Sequence, residues 1–178
     1  MAMTLITTNP DSTDVTTVDF TSGIDSTYKL YIFKFYDVNP ATDGAIFQFQ
    51  GNASGQSGYN ETITSTSFRA EVAESGSGGA LAYTLSQDQA QGTAFQNISQ
   101  ESGGQANEST AGTLWLFNPS NTTFVTHFYG VTNEHHQGDY SVNTYTAGYF
   151  NVTAAITNIQ FKMASGNMDG VIKMYGVG

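Results

Sequence analysis

The spacing of apolar residues restricts the fold of this chain more than any other feature. Short runs of strand type follow one another almost throughout, broken by Gly, Asn, Asp, Ser or Pro, with no amphipathic helical stretch between them. Residues 45–50, Ala-Ile-Phe-Gln-Phe-Gln, alternate with period two, so Phe47 and Phe49 share one face and Gln48 and Gln50 the other. Residues 27–36 form the strongest run, with aromatics on both alternating faces, which predicts a central strand covered on both sides. Further strands are expected at 15–20, 62–72, 113–117, 122–129, 143–150, 156–163 and 171–175. In the 122–129 run Phe124, Thr126 and Phe128 share a face. The turn Asn118-Pro119-Ser120-Asn121 predicts a hairpin between 113–117 and 122–129, and Asp169-Gly170 predicts a second one near the end of the chain. Asn39–Gly44, residues 75–79 and Asn133–Asp139 read as turns or loops. Residues 86–111, rich in Gln, Ser and Gly, carry the weakest pattern, with one short strand expected near 95–98. Strands at this spacing predict an all-β fold, an antiparallel β-sandwich of jelly-roll type. It spans residues 1–178 as a single domain, with residues 1–12 as a flexible or partner-docking N-terminal arm.

Composition narrows the partners. Five basic and 15 acidic residues give a net charge of −10, a sign that repels phosphate backbones and anionic membranes, so neither nucleic acid nor membrane is expected as a partner. Charged residues make up only 11% of the chain, so its solubility must rest on Thr, Ser, Asn and Gln. Cysteine is absent, which excludes disulfides and thiolate metal sites. The first residues lack a charged start and an apolar stretch of signal-peptide type, so the expected site of synthesis is the cytoplasm without secretion.

Candidate chemistry is sparse. His135 and His136, with His127 the only histidines, combine with Glu134 or Asp139 in a metal reading, against which a solvated loop is the simpler account. Asp11, Asp25, Asp43 and Asp169 sit beside Gly, Ser or Thr as turn carboxylates bonding their own backbone, rather than as the acid pair of a glycosidase. No catalytic, cofactor-binding or metal-binding residues are therefore assigned, and no cofactor is expected. Trp115 lies between Leu114 and Leu116 and faces away from both. It belongs to the core or a subunit interface on one reading, and to a sugar-stacking platform on the other. Few Lys and Pro are present to blunt edge strands, so partner subunits are expected to cover them.

Taken in order, several segments resemble a family of virion proteins of marine tailed phages, the cyanophage- and pelagiphage-like viruses. They are Asp25-Ser26-Thr27-Tyr28, Asn39-Pro40-Ala41-Thr42-Asp43 and Phe47-Gln48-Phe49-Gln50, then Gly58-Tyr59-Asn60-Glu61-Thr62 and Gln87-Asp88-Gln89-Ala90-Gln91-Gly92-Thr93-Ala94. Phe117-Asn118-Pro119-Ser120 followed by Thr122-Thr123-Phe124-Val125, Ala147-Gly148-Tyr149-Phe150, Ile159-Gln160-Phe161-Lys162-Met163, Ser165-Gly166-Asn167 and Ile172-Lys173-Met174-Tyr175-Gly176 complete the set, which runs from about residue 20 to the end. The resemblance implies a non-enzymatic structural protein located on the virion. The expected role is a head decoration or cement protein, oligomeric and preferably trimeric, in contact with the major capsid protein or other virion subunits. The alternative is a tail fibre or baseplate module that adheres to host-surface glycans.

Overall fold

The computed structural model describes residues 2–9 and 12–178, and it is built almost entirely of strands. In chain order these are β1 (Met3–Thr8), β2 (Ser12–Val15), β3 (Val18–Phe20), β4 (Leu30–Pro40), β5 (Phe47–Ala53) and β6 (Ile63–Ala73). Next come β7 (Ala80–Tyr83), a single 3-10 turn (Leu85–Gln87), β8 (Ala90–Gly92), β9 (Gln96–Asn97) and β10 (Thr110–Phe117). β11 (Thr126–His136), β12 (Tyr140–Phe150), β13 (Ile156–Met163) and β14 (Met168–Val177) complete the chain. All pairings between these strands are antiparallel. A large sheet has the order β1-β14-β4-β10-β11-β12-β6-β7, with β2 and β8 paired at its margins, and a four-stranded sheet has the order β3-β13-β5-β9. The two stack into a β-sandwich.

Between the sheets lies an aromatic core. Phe161 of β13 meets Phe20, Phe33, Phe35, Phe47 and Phe49 with ring centroids 5.2–6.3 Å apart, edge to face with Phe20 and Phe35, tilted to Phe33 and Phe49 and stacked with Phe47. Phe49 extends the cluster to Phe128 and Phe150. Gly148 of β12 lies in register with Phe128 of β11, and a Cβ there would come within 2.7 Å of the Phe128 ring and 2.5 Å of a β6 carbonyl. The close crossing of β11, β12 and β6 therefore requires glycine at this position.

Several expected boundaries move. The run at 15–20 divides into β2 and β3, which belong to different sheets. The central strand starts at Leu30 and continues through Pro40, so the break falls at 41–44. Asn133–His136, expected as a loop, is the end of β11, and only 137–139 turn. The hairpin of β10 and β11 forms, but its second strand starts at Thr126, leaving Phe124 outside it and exposed rather than on the face of Phe128. The Asp169-Gly170 hairpin does not form, because β13 and β14 lie in different sheets. Both residues are inside β14, where an irregularity in the pairing with β4 places Gly170 at φ 126, and Asp37 on the facing strand has φ 51. A β-bulge and a hairpin turn both favour glycine at positive φ, so the same dipeptide suits either. Met3–Thr8, within the expected N-terminal arm, is a strand paired along this chain's own β14.

Candidate functional site

One half of the large sheet is inverted relative to an ordinary sandwich. In β6, β12 and the second half of β11, the positions facing the interior include Ser67, Thr132, Glu134, Thr144 and Thr146, all buried, beside the apolar Ile63, Val142 and Phe150. The alternate positions, facing away from the interior, carry Phe68, Tyr129, Val131, Tyr145, Ala147 and Tyr149. The interior side stays closed because residues 85–110 fold across it. That segment is the Gln-, Ser- and Gly-rich stretch whose sequence pattern is weakest. Gln100 Nε2 donates to Gln87 Oε1 (2.9 Å) and Thr144 Oγ1 (3.2 Å), Gln87 Nε2 donates to the Ser99 carbonyl (2.7 Å), and Thr132 Oγ1 donates to the Ile98 carbonyl. The amides of Gln87 and Gln100 thus find partners within a polar layer, as burial away from water demands.

Glu134 is the one ionisable group at the centre of that layer. Its Oε1 accepts the Gln100 N–H (2.9 Å) and its Oε2 the Ser102 hydroxyl (2.7 Å), while Ser102 Oγ lies 2.8 Å from Thr110 Oγ1. Burial raises its pKa from 4.5 to about 7, although the hydrogen bonds from Ser102, Gln100 and Ser99 pull it down; the nearby Glu101 charge adds to the rise. Only 1% of Glu134 is accessible, so its proton can serve the fold but cannot reach a substrate.

The outward side of the sheet is aromatic. Trp115 stacks on Tyr129 (centroids 4.8 Å, 20° between planes) and Phe68 stacks on Tyr145 (4.8 Å, 8°). In register, Ile32, Trp115, Tyr129, Ala147 and Thr66 form one row across five strands, and Lys34, Thr113, Val131, Tyr145, Phe68 and Tyr83 form the next. The small Ala147 leaves a shallow depression walled by Phe68, Tyr129 and Tyr145. Exposure is high for such residues: Tyr129 41%, Phe68 42%, Tyr83 60% and Leu81 76%. The four-stranded sheet behaves in the ordinary way, turning Gln48, Gln160 and Lys162 outward and Phe47, Phe49 and Phe161 inward.

Leu114 and Leu116 are fully buried, which resolves the two faces of Trp115: it points out of the sandwich, half-buried against Tyr129. The histidine cluster is split by strand alternation. Glu134 turns inward, His135 outward, and His136 inward, within 3.6 Å of Glu101. His135 Nε2 lies 3.4 Å from Glu74 and 3.9 Å from Asp139, and these are the only His, Asp or Glu groups among the described residues whose ligand atoms gather in this way. The metal reading's set of His135, His136 and Glu134 is therefore not brought together, and of its alternatives only Asp139 lies near His135. Of the turn carboxylates, Asp25 accepts the Thr27 N–H (2.8 Å) as expected. Asp43 instead accepts the Gly104 N–H (3.0 Å) and Asp169 the Asp14 N–H (2.7 Å), both tying distant segments together. Asp11 lies outside the described residues.

Phe68, Tyr145 and Tyr83 were not singled out by sequence reasoning. The signal was present, since Tyr145, Ala147 and Tyr149 alternate with Thr144, Thr146 and Gly148, but period two does not say which face is the interior. Comparison with models of known protein families gives no match, and comparison with curated proteins gives none either.

Proposed function

We propose that this chain is a structural component of a tailed-phage particle, a head decoration or cement protein held on the outer capsid. The observation that carries the reading is the aromatic outward face of the large sheet, a surface suited to burial against protein. The resemblance to marine-phage virion proteins supports the same assignment. The role is mechanical: apolar and aromatic area buried across subunit boundaries, with the major capsid protein or other virion subunits as neighbours, holds the shell against internal pressure. A net charge of −10 suits the outside of a shell better than its DNA-filled interior. The assembled state is an oligomer, preferably a trimer, made in the host cytoplasm and carried on the virion. Antibody raised against the chain is expected to label the heads of intact particles; label confined to tails would overturn the assignment.

The second reading, a tail adhesion module for host glycans, is favoured by the outward position of Trp115 beside Tyr129. Stacking already covers one face of each ring, which reduces what a sugar can use. Glycan-array binding that is lost on Trp115→Ala without unfolding would favour adhesion over decoration.

A further inference from the structure

We infer that the outward face of the large sheet, centred on the Trp115–Tyr129 and Phe68–Tyr145 pairs, is a self-association surface covered by another copy of this chain. The inference rests on the structural-protein reading above and names the partner of that face.

Three observations carry it. The first is the inversion of the half-sheet. Phe68, Tyr129, Val131, Tyr145 and Tyr149 occupy outward positions in the middle of strands whose inward positions there include Ser67, Thr132, Glu134, Thr144 and Thr146, with the apolar Ile63, Phe128, Val142 and Phe150 buried elsewhere on the same strands. An antiparallel sheet with one solvated face turns its polar residues to water. Here, in the middle of β6, β11 and β12, polar side chains are turned inward and aromatic ones outward, which arranges that aromatic set for a second core that one copy cannot close.

The second is charge. Among the described residues of β14, β4, β10, β11, β12 and β6, the exposed carboxylates Asp37 and Asp169 gather toward one end of the β4–β14 pair, and the two central rows around Trp115, Tyr129, Phe68 and Tyr145 carry none, although the chain has 15 acidic residues. Its cations are Lys34, 5.9 Å from the Tyr175 ring, and Lys173, 5.2 Å from the Tyr36 ring, both occupied by aromatic neighbours on the same face. A basic partner would be met by carboxylates and an acidic one by free cations. A near-neutral aromatic face matches another near-neutral aromatic surface, so two copies of a −10 chain can meet across its central rows without opposing carboxylates.

The third is area. These six neighbouring strands, the shortest of eight residues, have a spacing of about 4.8 Å and a rise of about 3.3 Å per residue. They span on the order of 750 Å², close to the roughly 800 Å² per partner of a stable interface. The exposed Leu81 and Tyr83 of the marginal strand β7 extend the patch to the sheet edge, so a copy can dock face to face or edge to face.

The test is sedimentation of the full chain across about 1–100 µM, at low and high salt, beside the double variant Phe68→Arg/Tyr129→Arg. Thr66→Arg serves as a second probe, on the same face and with no apolar packing to lose. Gln56→Arg in the exposed loop after β5 is the control. Wild type and Gln56→Arg are expected to sediment as one closed oligomer that tightens as salt screens the acidic surfaces. The double variant and Thr66→Arg are expected to be folded monomers by circular dichroism, with association at least about 100-fold weaker because an unpaired charge is buried at the contact. A wild-type monomer at 100 µM, or an oligomer that survives both face variants, overturns the inference. So does a variant that keeps its oligomeric state and loses only particle binding, which would make the face a capsid-docking surface. A monomer that still labels phage heads would defeat self-association alone, and an oligomer absent from particles would defeat the virion assignment alone.

Discussion

Replacing Glu134 by glutamine is expected to stabilise the protein at neutral and alkaline pH and to remove a specific part of its pH dependence. In the folded chain the Glu134 carboxyl titrates at about 7, against 4.5 for the free side chain. Between those values the folded state holds a proton that the unfolded state has released, so stability falls as pH rises through this window and stays lowered above pH 7. The displacement corresponds to about 3 kcal/mol in all, at about 1.4 kcal/mol per pH unit inside the window. Glutamine reproduces the protonated acid. Its oxygen accepts the Gln100 N–H, its amide donates to Ser102 Oγ, and the Ser102 hydroxyl turns to Thr110 Oγ1 at 2.8 Å. Urea denaturation of wild type and Glu134→Gln at pH 4.5, 6, 7 and 8 measures the difference. Other acidic groups titrate in both proteins and cancel. The variant should match wild type near pH 4.5 and gain up to about 3 kcal/mol by pH 8. Parallel pH profiles would refute the reasoning, showing that Glu134 keeps its charge at no cost through its two hydrogen bonds or that water reaches it.

Two further substitutions probe the packing. Phe161→Ala removes the ring that joins Phe20, Phe33, Phe35, Phe47 and Phe49, and should lower the free energy of unfolding by about 3–5 kcal/mol; a loss below about 1 kcal/mol in thermal or urea melts would mean that the aromatic cluster collapses around the gap. Gly148→Ala forces a methyl against the Phe128 ring and the Thr64 carbonyl and should destabilise by about 1–3 kcal/mol, with no effect expected if β12 can shift away from β6, as amide exchange along β12 would reveal.

The reach of sequence reasoning differs between the two halves of the molecule. In β5 and β13 the alternation of Phe47, Phe49, Ile159 and Phe161 with Gln48, Gln160 and Lys162 identifies strand, period and inward face together, because the apolar set is the buried one. The β13 limits agree with the expected 156–163. The all-β class and the β10–β11 hairpin were legible for the same local reason, since turn chemistry and β-branched or aromatic runs are properties of neighbouring residues.

The candidate site depended on residues far apart in the chain. Tyr145 and Thr144 alternate as plainly as Phe49 and Gln48, but whether the tyrosine or the threonine faces inward depends on what lies across the sheet. Across from Thr144 lies Gln100, 44 residues earlier, in a stretch whose glutamines and serines read as loop because they carry no apolar period. Burial of that polar segment turned Tyr145, Phe68 and Tyr129 outward, and long-range pairing likewise made Asp169-Gly170 a bulge within β14 rather than a turn. Local chemistry decides which residues make strands and where chains turn. Which face of a strand meets water is a property of the assembled sheet, because it is set by the desolvation of groups that only folding brings together.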